Sequence, residues 1–592
     1  MCGIIGYNGK SKCLPIILSG LKSLEYRGYD SAGVAYLKNE KIEIIKEKGE
    51  IENLKKLVDL NEETYLGVGH TRWATHGSPC KENSHPHKVG RVTVVHNGII
   101  ENYAALKKKL NRYTFKSETD TEVVAALIDS LLDKNSMLTI LKNLNKKLKG
   151  SYALGIIVDG DDKLYTIRKD SPLIIGISDD GNFIASDMSA ILKYTKKYYI
   201  LLNDEYAVIE KDKVSVYSDG KLIDKELKEF QYDMDSAMKN GYAHFMLKEI
   251  YEQPKVLKDT INEYIDSFKS LKKRFKGLEK YTRIDIVGCG SAYHVGLVGA
   301  SLIKKYGDIP ANAYIASEYR YEKSFYDKNH LVIIISQSGE TADTLAVLRN
   351  VKEQNIDTIA IVNVVGSSIA READKTIYIK AGPEISVATT KAYTCQLAIL
   401  SLMAAYLGII KKNLDESILN EFNQLSRLTK DLLKDVDDVK EVSRLIHNSH
   451  DIFYLGRKTD YSLCMEASLK LKEISYIHSD AYAAGEIKHG TISLIEEKTP
   501  VISIITCDEI RSKTISNVEE VKARGALSIV ITDDKNINEG IYDKLIVVAK
   551  KHELIESILV VIKCQLIAYY VAKLNKCSID KPRNLAKSVT VE

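Results

Sequence analysis

Apolar positions in the first 230 or so residues gather in short runs rich in β-branched side chains, as in Ile4-Ile5-Gly6-Tyr7, Val92-Thr93-Val94-Val95 and Ala153-Leu154-Gly155-Ile156-Ile157-Val158. Gly, Asn and Asp bound these runs, the pattern of strands closed by turns. Helical stretches are few, chiefly 121–132. Strands in runs with segregated helices predict a layered α+β domain over 1–230. The pattern weakens between Gln231 and Pro254, which predicts a linker over 231–254. Beyond it the order becomes strand, Gly or Ser turn, helix, starting with Ile284-Asp285-Ile286-Val287-Gly288 and Leu331-Val332-Ile333-Ile334-Ile335-Ser336. Apolar strands alternating with helices predict a doubly wound parallel sheet covered on both faces. The same order then recurs, with Gly456 lying 168 positions after Gly288 and Ile529 lying 168 after Ile361. A constant offset predicts a duplicated α/β domain, over 255–430 and 431–580, followed by a tail at 581–592.

Composition narrows the class. The 592 residues suffice for three or four domains, and a 45% hydrophobic, 28% charged chain reads as a soluble, packed protein. Lys and Arg total 84 against 80 Asp and Glu, a net charge of +4. That balance lacks the concentrated basic face of a nucleic-acid binder. Nine cysteines without a Cys-x-x-Cys pair make no disulfide framework, which predicts a reducing, cytoplasmic setting. The N-terminus carries no signal-peptide pattern. The most apolar later stretch, Leu397 to Ile410, is shorter than the ~20 residues of a membrane span and reads as a buried helix.

Cys2 follows the initiator methionine. Trimming Met1 would give it a free α-amine, whose pKa of ~7.7–8.0 suits it as base for the thiol of the same residue. Alone this is weak, because an inert second-position cysteine is common. Four further segments occur in order: Glu25 to Gly33, Gly69-His70-Thr71-Arg72-Trp73-Ala74-Thr75-His76-Gly77, His96-Asn97-Gly98-Ile99-Ile100-Glu101-Asn102, and Ser117-Glu118-Thr119-Asp120-Thr121-Glu122. Together they resemble the N-terminal-nucleophile glutamine amidotransferases. The resemblance implies a layered αββα fold, Cys2 as nucleophile, and Asn97 with Gly98 as the oxyanion hole. It further implies Arg72 on the glutamine carboxylate, Asp120 on its ammonium, Thr75 and His76 in the pocket, and Trp73 as an ammonia gate. Cys80, His85 and His87, with His70 and His76 upstream, match no zinc spacing, so no metal is expected there.

Ser336-Gln337-Ser338-Gly339-Glu340-Thr341 joins an apolar strand to a helix expected near Thr341. Hydroxyls and backbone N–H groups at a helix start favour an anion, and without Lys or Arg in the loop a compact monoester fits better than a nucleotide. The segment resembles the phosphosugar loop of sugar isomerase (SIS) domains, which places Ser336, Gln337, Ser338 and Thr341 on the substrate. Gly288-Cys289-Gly290-Ser291-Ala292 resembles the first loop of such domains, with Ala292 where serine is frequent. Cys289, Gly290 and Ser291 are the candidates there, and Thr389 is the candidate in Val387-Ala388-Thr389-Thr390-Lys391-Ala392.

Lys470 and Glu473 are three apart on an expected helix, a spacing that by itself means a surface ion pair. With Ala483 to Gly490 and the ending Leu585 to Glu592, however, this segment resembles the isomerase half of the glucosamine-6-phosphate synthase family. The resemblance implies His489 as ring-opening acid–base, Lys587 as Schiff-base lysine, Glu473 as the carboxylate that moves a proton between C1 and C2, and Lys470 as its electrostatic support. Expected substrates are L-glutamine and D-fructose 6-phosphate, with no cofactor, no nucleic acid, no membrane, and a homodimer or larger homo-oligomer. The alternatives are another amidotransferase of the same N-terminal class, a deglycase and a sugar-phosphate-sensing regulator. The first would need a nucleotide or pyrophosphate site, the second conflicts with Cys2, Arg72 and Asn97, and the third would more often carry a DNA-binding helix pair than a glutaminase.

Overall fold

The β-branched runs of the N-terminal part pair into two antiparallel sheets. A computed structural model of the chain describes residues 2–590 except 26, 27, 29, 74–76, 231–238 and 324. It divides into two compact units, 1–237 with 586–592, and 238–585. In the first unit Gly3–Gly9 lies inside an eight-stranded sheet, between Gly181–Ala185 and Leu66–Arg72. Val92–Ile100 lies in a seven-stranded sheet, between His87–Val89 and Gly150–Val158. Neighbouring side chains on a strand point to opposite faces, and this sorts the core. Ile4 and Val95 share the layer between the sheets. Ile5 faces outward to helix Cys13–Leu24, and Val94 faces helices Asp120–Leu132 and Met137–Lys147. The result is the expected αββα arrangement.

The second unit holds two five-stranded parallel sheets with the same strand order, the second strand of each at the edge beside the first. One runs Ala311–Ile315, Arg283–Gly288, His330–Ser336, Asp357–Val362, Lys375–Tyr378. The other runs His478–Ala483, Asp451–Gly456, Pro500–Ile505, Leu527–Thr532, Lys544–Val547. One apolar cluster joins the lobes, with Leu400 and Met403 packed in the same core as Ile558 and Leu566.

Two expectations need correction. The apolar stretch at 397–410 belongs to a 20-residue helix, Lys391–Ile410, and a second helix, Glu553–Leu574, has 22 residues. Both are long and apolar enough to cross a membrane, but 89% and 94% of their apolar windows are buried, so protein rather than lipid covers them. The second half of the expected linker is also structured. Helix Phe245–Tyr264 begins there and buries Met246 and Ile250. Pro254 lies inside this helix and cannot donate to the carbonyl four residues back. The side-chain amide of Gln253 donates to that carbonyl, Ile250 O, at 3.2 Å instead.

Candidate active sites

Sheet pairing assembles the N-terminal site. Gly3 pairs with Thr71, which brings Arg72 and Trp73 beside Cys2. The Trp73 N–H donates to Cys2 Sγ at 3.3 Å, and the thiol donates to Trp73 O at 3.5 Å. Burial pushes the Cys2 thiol up, opposed in part by the Trp73 amide and Arg72. From the facing sheet, Asn97 Nδ2 donates to Cys2 O at 3.0 Å. Its Oδ1 lies 3.1 Å from His70 Nε2, which also lies 2.9 Å from His96 O. Both partners are acceptors, so Nε2 carries the proton, and the Asn97 amide is fixed with its NH₂ toward Cys2. One N–H of that group serves Cys2 O. His70 stacks on His85 with centroids 4.1 Å apart. Burial pushes its imidazole down to about 3, so it stays neutral.

Gly98 follows at φ +131°, and a Cβ there would meet Ser151 O at 2.1 Å, so only glycine fits. Arg72 is buried, and its guanidinium donates to Gly77 O at 3.1 Å and Ser78 O at 3.3 Å. Asp120 opens the helix Asp120–Leu132, and its Oδ2 accepts the Ile100 N–H at 2.7 Å, which ties it to the strand carrying Asn97 and Gly98. Thr75 and His76 lie outside the described residues.

In the first lobe of the second unit, Ser336 ends its strand and Thr341 precedes the helix Ala342–Glu353. Their hydroxyls lie 3.0 Å apart, and Ser336 Oγ accepts the Gly339 N–H at 2.9 Å. Gln337 O accepts the Asn363 N–H, and Ser338 Oγ accepts the Glu340 N–H. Gly290 caps helix Ser291–Gly307 at φ 55°, ψ −126°. Cys289 Sγ lies 3.6 Å from Thr344 Oγ1. Thr389 donates to Glu384, whose other oxygen accepts the N–H groups of Thr390 and Ala392 and so pins that loop.

In the second lobe, Glu466, Lys470 and Glu473 stack on one face of helix Thr459–Ser475. Lys470 Nζ is 2.5 Å from Glu473 and 3.7 Å from Glu466. Burial would lower the lysine, but these two carboxylates outweigh it and hold it above its ordinary value. Glu466 also accepts from Ser291 Oγ and lies 2.9 Å from His294 Nδ1, which joins the two lobes. Ser291 therefore spends its hydroxyl on Glu466. His489 is exposed after the turn Glu486–Lys488, and no hydrogen bond or ion pair joins it to Lys470 or Glu473. Lys587 lies in 586–592, which group with the N-terminal unit.

A glutamine amidotransferase domain model matches residues 70–193, and an SIS domain model matches 277–406 and again 445–573. The chain is 47% identical over 613 residues to the glutamine–fructose-6-phosphate aminotransferase (isomerising) of Clostridium acetobutylicum, with both chains covered completely. The enzyme of that name from Caldanaerobacter subterraneus subsp. tengcongensis is 47% identical over 609 residues, again covering both. The chain belongs to the glutamine–fructose-6-phosphate aminotransferase (isomerising) family. Among solved structures, the C-terminal domain of a glucosamine-fructose-6-phosphate aminotransferase from Francisella tularensis matches with a TM-score of 0.55 at 36% identity. It covers 58% of this chain and 99% of its own.

Within this aminotransferase family setting, sequence reading overlooked His70, Glu384, Glu466 and His294. Glu466 had a signal, since it stands one helical turn before Lys470. His70 sits inside a quoted motif, but its partner Asn97 is 27 positions away, and only sheet pairing reveals the contact. Nothing in the sequence points to His294.

Proposed function

We propose that this chain makes D-glucosamine 6-phosphate and L-glutamate from D-fructose 6-phosphate and L-glutamine, the entry to hexosamine synthesis. The observation that carries the reading is the Cys2–Asn97 contact in a chain related over its full length to enzymes of this name. With Met1 removed, the α-amine takes the thiol proton and the thiolate attacks the glutamine amide carbon. Asn97 Nδ2 and the Gly98 N–H stabilise the resulting oxyanion. Collapse expels ammonia and leaves a thioester, which water hydrolyses to glutamate. Arg72 and Asp120 hold the α-carboxylate and α-ammonium, Thr75 and His76 line the pocket, and Trp73 gates ammonia.

In the sugar half, Ser336, Gln337, Ser338 and Thr341 bind the phosphate, with Cys289, Gly290, Ser291 and Thr389 beside the sugar. His489 opens the ring by proton transfer. Neutral Lys587 forms a Schiff base at C2, and ammonia displaces the lysine. Glu473 then takes a proton from C1 and returns it at C2, leaving the C1 aldehyde and the C2 amine. Lys470 balances the carboxylate. Nine free cysteines fit a reducing cytoplasm. A homodimer or larger assembly is part of the reading, to be checked by light scattering.

The test is product formation from glutamine and fructose 6-phosphate by the native protein, Cys2→Ala and Lys587→Ala. Native protein makes glucosamine 6-phosphate, Cys2→Ala fails with glutamine, and Lys587→Ala still releases glutamate. Glutamate release without amination of the sugar by the native protein would refute the acceptor.

A further inference from the structure

The two lobes of the second unit share one strand order, and at one matched helix position an apolar side chain in the first lobe faces a carboxylate in the second. Helices Ser291–Gly307 and Thr459–Ser475 have 17 residues each and start 168 positions apart. Their caps share one conformation, φ 55°, ψ −126° at Gly290 and φ 52°, ψ −125° at Lys458. Gly288 packs against Ala292 in one lobe, and Gly456 packs against Asp460 in the other. Ala292 and Asp460 are thus the same helix position.

Strand register aligns the neighbouring loops. Val287 pairs with Ile334, and its counterpart Leu455 pairs with Ser503. Thr506 and Cys507 therefore stand where the first lobe has Gln337 and Ser338. Asp460, on helix Thr459–Ser475, is 1% exposed and packs against this second loop. Its Oδ2 accepts the N–H groups of Thr506 at 2.9 Å and Cys507 at 3.1 Å, while Oδ1 accepts from the Thr506 hydroxyl. Ala292 has a methyl group at the matching place. Of the first loop's hydroxyls, Ser336, Ser338 and Thr341 become Ile505, Cys507 and Ile510. Arg511 beside this second loop is already engaged by Asp508 and Asp533.

We propose that Asp460 is the resident anion of a second, internally occupied copy of the sugar-phosphate cradle, and that this helix position decides which lobe takes substrate. Carboxylate oxygens on two backbone N–H groups and a hydroxyl reproduce the contacts a phosphate monoester makes with such a loop. The second lobe is thereby filled by its own chain, and one sugar phosphate binds per chain. The inference rests on the sugar-phosphate reading of the first lobe.

Calorimetric titration of the full chain with fructose 6-phosphate tests it, together with melting curves in formate. Native protein binds one equivalent. Ala292→Asp puts a carboxylate against the first-lobe loop and weakens binding at least about 100-fold through like-charge repulsion. In that variant basal glutamine hydrolysis is retained, and the Ala292→Ser control binds like native. Asp460→Ala melts several degrees lower, still binds one equivalent, and regains its melting point in formate, which leaves the native melting point in place. Native-like binding by Ala292→Asp overturns the proposal, as does an equal response to formate in Asp460→Ala and native protein. If Asp460→Ala does not fold, the Ala292→Asp titration decides. If native protein binds no fructose 6-phosphate, the first-lobe reading fails, and the formate comparison still judges Asp460.

Discussion

At the scale of single residues, the N-terminal site turns on how one amide is oriented. An asparagine side chain offers N–H on one side and oxygen on the other, and the wrong orientation would aim an acceptor at a developing oxyanion. His70 settles this through its Nε2–H on Asn97 Oδ1, 3.1 Å away. His70→Leu should lower glutamine-dependent kcat by about 100-fold, the scale of losing one oxyanion donor, with KM for glutamine little changed. In an Asn97→Ala background the same change should cost almost nothing more, because both act through one group. Steady-state kinetics on the four proteins checks this, and full additivity would show that His70 acts elsewhere. The raised Cys2 thiol has its own consequence. Alkylation of Cys2 by iodoacetamide should be slow at neutral pH and accelerate as pH rises past the ordinary thiol range, since only thiolate reacts. A rate already at plateau at pH 7 would contradict the burial argument.

At the scale of elements, two packed groups carry predictions. Helix Thr459–Ser475 holds buried Glu466 and Lys470 and half-buried Glu473 as one charge stack. Lys470→Met should abolish sugar amination while glutamine hydrolysis continues. It should also destabilise the protein by about 3–5 kcal/mol, because Glu466 loses its cation in the interior. Denaturant melts and the two partial activities read these effects separately, and an unchanged melt would mean that Glu466 is satisfied by Ser291 and His294 alone. The second group is the histidine cluster. Burial holds His70 near 3 and His85 and His87 well below 6.5 in the folded state. An unfolded histidine titrates near 6.5, so below that pH the unfolded chain binds protons that the folded one refuses. Stability should therefore be complete above pH 6.5 and fall as pH drops toward about 3, by up to about 1.4 kcal/mol per pH unit for each histidine. Urea midpoints of the first unit at pH 7 and pH 5 measure it, and equal midpoints would rule the cluster out as an acid trigger.

At the scale of the whole molecule, the chain joins an amide-splitting unit to a sugar-phosphate unit. Fusion is useful only if ammonia passes between them unmixed with solvent, since free ammonia is protonated in neutral water. Glutamine labelled at its amide nitrogen, supplied with excess unlabelled ammonium, should give fully labelled glucosamine 6-phosphate by mass spectrometry. Dilution of the label in proportion to bulk ammonium would mean that no such transfer occurs. The duplicated lobes show what duplication permits: two copies of one architecture, in which Glu466, Lys470 and Glu473 stand on the helix of one and the Ser- and Thr-rich loop 336–341 belongs to the other.

The sequence by itself determined the layered and doubly wound folds, the duplication and, through its motifs, the family. Each follows from local periodicity or from a run of neighbouring residues, and such signals survive in a linear string. It did not determine a constant spacing of 168: strand register matches Val287 with Leu455, Ile334 with Ser503 and Ala360 with Val530, offsets of 168, 169 and 170. The helix through Pro254 escaped it, because a proline read alone means a break, and the rescue of Ile250 O by Gln253 is a property of the folded turn. Only the tertiary structure decided the orientation of the Asn97 amide by His70, the pinning of the Thr389 loop by Glu384, the spending of Ser291 on Glu466 and the contact of Asp460 with the Thr506–Cys507 loop. Two of these contacts, His70 with Asn97 and Ser291 with Glu466, join residues 27 and 175 positions apart, and the Asp460 contact spans 46. Hydrogen-bond geometry of that kind depends on which strands pair and in what register, information that the chain expresses only once it has folded.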